Sequence, residues 1–158
     1  MGPRVYVETT IISYLVGRLN RRDVHVASNQ VCTRQWWNER RQAFQLYASA
    51  IVLQEITAGK PEMAAARLQY LDGISFLDVD AAAEQLKDEI LRKSGVPRKA
   101  EVDALHIAIA AVNGMDYLIS WNCKHIVNAV TLPKVYAVCR HSGFEPPFVC
   151  TPAELMEG

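Results

Sequence analysis

The chain has 158 residues, with 17 Lys and Arg balanced by 17 Asp and Glu for a formal net charge of +0. That length accommodates one domain, residues 1–158, with a full apolar core, so neither disulfides nor a structural metal is needed to hold it. The even charge argues against a large electrostatic grip on nucleic acid and leaves room for a local one. Although 50% of residues are hydrophobic, no apolar run approaches the ~18 residues of a membrane span, and the start lacks the long apolar core of a signal peptide. A cytoplasmic protein without membrane contact is expected.

In chain order, RVYV reads as a strand of β-branched and aromatic residues, with Glu8 at its exit and Thr9 or Thr10 placed to cap the short helix IISYLVGRL. A longer helix is expected over Thr33 to Leu46, then the short strand QLYASA and the brief helix IVLQEITAG closed by Gly59. Met63 to Leu71 is alanine-rich and helical, ISFLDV has strand character, and Asp80 caps a helix through AAAEQLKDEILRKSG. In VDALHIAIAAVNG, the residues Val102, Leu105, Ile109 and Val112 share one face at helical spacing. DYLIS reads as a strand, KHIVNAV and LPKVYAVCRHSG as two helices, and PFVCT as a last strand. Short apolar strands alternating with helices imply a parallel sheet covered on both faces.

In such a sheet, ligands gather in the crevice beyond the carboxyl ends of the strands. Glu8, at the exit of the first strand, and Asn122, just past DYLIS, pass that test. Asp103, in the opening turn of the helix feeding DYLIS, and Glu55, on the helix after the second strand, could reach the same crevice. Each also has a plain structural explanation: Glu8 and Asp103 complement helix dipoles, Glu55 is a solvated acid, and Asn122 is a turn residue. His106, one turn beyond Asp103, reads first as a histidine hydrogen-bonded within the fold, and only second as a zinc ligand or general base. His125 is a similar case, whereas His25 and His141 carry no motif.

Cys32, Cys123, Cys139 and Cys150 show no CxxC pairing and no zinc-finger spacing, so buried free thiols are expected. The stretch from Arg18 to Arg41 concentrates Arg18, Arg21, Arg22, Arg34, Arg40 and Arg41 around Trp36 and Trp37. It suits either a single-strand-binding groove or a solvated helix face whose tryptophans lie in the core or an interface. No GxGxxG or GxxxxGK[ST] supports a nucleotide-phosphate cradle.

Four segments in this order and at these distances, VYVETTIISYL, IVLQEI, VDALHIAIA and LISWNCKHIVNA, resemble the PIN-domain family, and within it the VapC-type toxins of toxin-antitoxin systems. The likeness runs from Val5 to about Cys150. It implies a three-layer α/β/α sandwich with a mainly parallel central sheet and an endoribonuclease whose acids hold Mg²⁺ or Mn²⁺. The family's acid positions map to Glu8, Glu55, Asp103 and Asn122, and the hydroxyl after the first acid maps to Thr10. Glu8, Asp103 and Asn122 are the implied metal ligands, with Glu55 placed to handle the attacking water. The RNA backbone would be held by Lys124, Arg18, Arg21 and Arg22.

Two positions depart from the family pattern: Glu8 replaces a more usual Asp, and Asn122 stands where many members carry an acid. The implied partners are an RNA substrate, a small cognate antitoxin and a second copy of the chain in a homodimer, with Trp36 and Trp37 as candidate interface residues. The alternative is a PIN-like binding module too weak to cleave. A haloacid-dehalogenase-type phosphatase fits poorly, because its aspartate nucleophile and second aspartate would fall at Glu8 and Thr10.

Overall fold

The computed structural model describes residues 1–158. Its strands are β1 Arg4–Val7, β2 Gln45–Ser49, β3 Ser75–Leu77, β4 Tyr117–Ile119 and β5 Phe148–Cys150. They form one sheet of order β3-β2-β1-β4-β5, parallel at every pairing. Central β1 is flanked by β2 and β4, and its Val5, Tyr6 and Val7 are all fully buried. Such continuous burial is typical of a parallel strand covered on both faces.

The helices are α1 Thr9–Leu15, α2 Val24–Glu39, α3 Ala50–Thr57, α4 Pro61–Leu68, α5 Ala81–Lys93, α6 Glu101–Val112 and α7 Leu132–His141. From β1 the chain steps through β2 to the β3 edge, then crosses back past β1 to build β4 and β5. Right-handed crossovers put the connections of these two halves on opposite faces. The packing agrees, since α1 to α4 contact one another while α5 contacts α6 and α7. The result is the expected α/β/α sandwich, with one apolar cluster drawing side chains from all five strands.

α6 is the most enclosed helix, buried without interruption from Ala104 to Ala111. Of its expected apolar face, Leu105 and Ile109 are buried, whereas Val102 in the first turn is exposed. Nearly buried Lys87 on α5 joins Glu84 at 2.7 Å and Glu101, the first residue of α6, at 2.8 Å. This pairing ties the start of α6 to α5. At its other end α6 stops at Gly114, whose φ of +67° favours glycine. Arg4 of β1 grips that turn through the Asn113 carbonyl at 3.1 Å.

Two elements differ from expectation. α2 begins at Val24 rather than at the expected Thr33, because the Asp23 carboxylate accepts from the His25 and Val26 amides as N-cap. It stops before Gln45, which must pair with Arg4. KHIVNAV forms turns rather than a helix: the Asn122 side-chain oxygen accepts from the His125 amide, and the Asn128 side-chain oxygen accepts from the Val130 amide. These asparagine oxygens compete with helical carbonyls for the same donors.

Candidate active site

The Glu8 amide donates to the Ile119 carbonyl at 3.2 Å, extending the β1–β4 ladder by one residue and bringing Glu8 beside Ser120. Here the sheet's strand order reverses and the connections leave toward opposite faces, which opens a crevice.

Glu8 is only 3% exposed and is itself the N-cap of α1, a role expected of Thr9 or Thr10. Its Oε2 accepts the Thr10 amide at 2.8 Å, and its Oε1 accepts the Thr10 hydroxyl at 2.7 Å and the Ser120 hydroxyl. Those hydroxyls in turn accept the Trp121 amide at 2.8 Å and the Asn122 amide at 2.9 Å. The turn after β4 is thereby fastened to the acid that follows β1. A buried carboxylate is tolerated here because three donors replace its water.

A second network fixes Glu55. The fully buried His106 lies on α6, its Nε2 2.6 Å from Glu55 Oε1 and its Nδ1 2.7 Å from the Tyr6 hydroxyl, which lies 2.8 Å from Ser49 Oγ. Burial pushes the Tyr6 phenol far above its ordinary range, so it keeps its proton. One proton arrangement leaves no donor idle: Ser49 donates to Tyr6, Tyr6 donates to Nδ1 of a neutral His106, and Nε2–H donates to Glu55. Ser49 Oγ also accepts the Val52 amide as N-cap of α3. Thr9 donates its hydroxyl to Glu55 Oε1 at 2.6 Å. Partial burial alone would raise the Glu55 carboxyl, but the hydrogen bonds donated by His106 and Thr9 outweigh it and hold the group below the usual carboxylate range.

Ligand atoms of Glu8, Glu55 and His106 all lie within 4.8 Å of one another. Of the residues expected from the sequence, the structure therefore brings Glu8 and Glu55 together. Asp103 is half-buried one turn ahead of His106, outside this tight group. The side-chain oxygen of Asn122 accepts the His125 amide at 3.0 Å, so it shapes the turn. Lys124 is exposed beside that turn, and Arg18, Arg21 and Arg22 line an open groove between α1 and α2. Trp36 and Trp37 are core residues, 0% and 5% exposed, and supply neither an interface nor a binding groove.

The sequence marked His106 first as a histidine bonded within the fold and second as a ligand or base, marked Thr9 only as a helix cap, and singled out none of Tyr6, Ser49 and Ser120 for the site. The available signals were the three-residue spacing of Asp103 and His106, which puts both on one helix face, and a tyrosine inside an otherwise apolar strand.

The donor chemistry fits a hard cation. Both nitrogens of His106 are occupied, as is Oε1 of each glutamate, whereas Glu55 Oε2 and both oxygens of Asp103 have no protein donor and Glu8 Oε2 has one. An oxygen-only set with few carboxylates suits Mg²⁺ or Mn²⁺, which retain several waters.

No family model and no curated protein matches the sequence. Solved structures do. VapBC2 from Rickettsia felis, determined bound to a DNA fragment from its promoter, superposes with a TM-score of 0.53 at 18% identity, over 77% of this chain and 89% of that one. VapC20 of Mycobacterium tuberculosis, described as a sarcin-ricin loop cleaving toxin, gives 0.58 at 16% identity, over 90% and 99% of the two chains. At such identities the likeness is one of architecture: this chain has the fold of the VapC-type proteins that its motifs resemble.

Proposed function

We propose that the protein is a metal-dependent endoribonuclease acting as the toxin of a toxin-antitoxin pair. The observation that carries this reading is the meeting of Glu8 and Glu55 at the sheet's switch point, each fixed through Oε1 by the protein's own donors. Glu8 and Asp103 would hold Mg²⁺ or Mn²⁺, and Asn122 would reach it through water. A bound ion lowers the pKa of its water and neutralises phosphate charge. Glu55, oriented by His106 and Thr9, turns its free Oε2 toward the attacking water and accepts its proton. Thr10 keeps Glu8 in place. Lys124 and the arginines of the α1–α2 loop hold the RNA backbone on either side.

The toxin assignment rests on fold and motif order together, as does the proposal of a small antitoxin that covers the crevice, of a homodimer and of action in the cytoplasm. No helix is long and apolar enough to cross a membrane. The test is cleavage of a structured RNA by the purified chain with Mg²⁺ or Mn²⁺ and with chelator. Cleavage that needs the ion and is abolished by Glu8→Gln and by Asp103→Asn supports the reading. Equal cleavage by those variants would remove the assigned site. Absence of cleavage by the parent with any divalent ion would favour a PIN-like binding module.

A further inference from the structure

Trp121 is the one tryptophan that stands at the crevice, and its attachment gives it a further role. Its backbone amide donates to Thr10 Oγ1, the hydroxyl that holds Glu8, and it stands between Ser120, bonded to Glu8, and Asn122. Its indole N–H donates to Thr33 Oγ1 at 2.7 Å, which fixes the ring plane from α2. The ring stacks on Tyr14 of α1, with centroids 6.3 Å apart and planes 21° from parallel. Both rings are partly exposed. Arg34 donates to the Tyr14 and Gly17 carbonyls, bracing the segment that leads to Arg18, Arg21 and Arg22.

We infer that Trp121 and Tyr14 form a stacking platform for an unpaired nucleobase next to the cleaved phosphate, so that the preferred substrate is RNA with a single-stranded or looped base at that point. Three features point to a ligand rather than to simple packing at the edge of the core. The backbone amide of Trp121 and its indole N–H are both hydrogen-bonded and the ring is stacked on Tyr14, so little side-chain freedom is lost on binding. The platform shares a hydrogen-bonded hydroxyl with an acid of the proposed catalytic site. Exposed cationic side chains adjoin both rings along the chain, Arg18, Arg21 and Arg22 in the α1–α2 loop that follows Tyr14 and Lys124 in the turn that follows Trp121, and are available to the phosphates beside a stacked base. Aromatic faces combined with a positive groove are the usual means of gripping single strands without reading their sequence. The inference rests on the nuclease reading for the identity of the polymer.

Binding is tested in chelator, where no cleavage interferes, by tryptophan fluorescence of the full chain. The probes are a short single-stranded RNA, the same sequence as a duplex, and an abasic strand of equal length. Trp36 and Trp37 are buried, so contact with a base quenches Trp121 alone. Saturable quenching by the single strand, little by the duplex and none by the abasic strand is expected. Trp121→Leu should abolish the quenching and weaken single-strand binding about tenfold, Tyr14→Leu should weaken it by several-fold, and Trp121→Phe should restore most of the affinity. Equal affinity of the abasic and base-bearing strands, or of parent and Trp121→Leu, overturns the platform even if metal-dependent cleavage persists. Base-dependent quenching without cleavage in any metal would retain the platform and overturn the nuclease.

Discussion

His106 donates from Nε2 to Glu55 Oε1 at 2.6 Å, so a fully buried imidazole on α6 fixes a carboxylate on α3 from the opposite layer of the sandwich. The same ring is held from behind by the Tyr6 hydroxyl of β1. Glu55 is thus oriented by all three layers at once.

Removing the imidazole leaves a cavity and two groups without their partner. His106→Ala should lower unfolding free energy by about 2–4 kcal/mol in urea titrations. Cleavage should fall by about 10–100-fold, in kcat more than in KM, because Glu55 loses its orientation rather than its charge. A loss confined to stability would show that His106 only supports the fold.

The lowered Glu55 carboxyl gives a signed pH effect. Its folded pKa lies below the unfolded value, so its stabilising contribution is present above the ordinary glutamate pKa of about 4.3 and is lost as pH falls through the folded value. Glu55→Gln should therefore differ most from the parent near neutrality. The stability gap between them should close below about pH 4 in thermal melts recorded across the acid range.

Glu8→Gln places an amide among three donors. The Thr10 amide and the two hydroxyls cannot all find an acceptor, and a loss of about 1–3 kcal/mol is expected. The sharper readout is linkage: Mn²⁺ at about 100 times its Kd should stabilise the parent by about 2.7 kcal/mol and leave Glu8→Gln unchanged. Equal stabilisation of both proteins would place the ion elsewhere.

Thiol reactivity should separate the four cysteines. Burial pushes Cys139 up to about 11 and Cys150 up to about 12, and both lie in the core, whereas Cys123 is exposed in the turn beside Asn122. Iodoacetamide at pH 8 should label Cys123 first and the half-buried Cys32 slowly, with Cys139 and Cys150 protected until the protein unfolds. Mass spectrometry of timed digests checks the order.

The architecture was legible because short, largely apolar strands alternate with helices along the chain, and because Asp80 signals the start of α5 through its cap. The error at α2 has a local cause, since Asp23 sits in a basic, polar stretch with no apolar period to announce a helix. KHIVNAV misled for the opposite reason: its apolar residues suit a helix, while Asn122 and Asn128 divert the backbone donors into turns. At the site, Glu8 could be found from its place after β1. The link from Tyr6 through His106 to Glu55 could not, because it joins residues 100 and 51 positions apart and depends on β1 packing between α3 and α6. The split of tryptophans, two in the core and one at the crevice, likewise follows from tertiary packing alone.

The most direct measurement is an anomalous difference map from a crystal soaked in Mn²⁺. A peak is expected in the crevice after β1 and β4, within coordination distance of a Glu8 oxygen and an Asp103 oxygen, with Glu55 Oε2 facing its water shell. A peak bound only at other acids, or an empty crevice at saturating Mn²⁺, would contradict it.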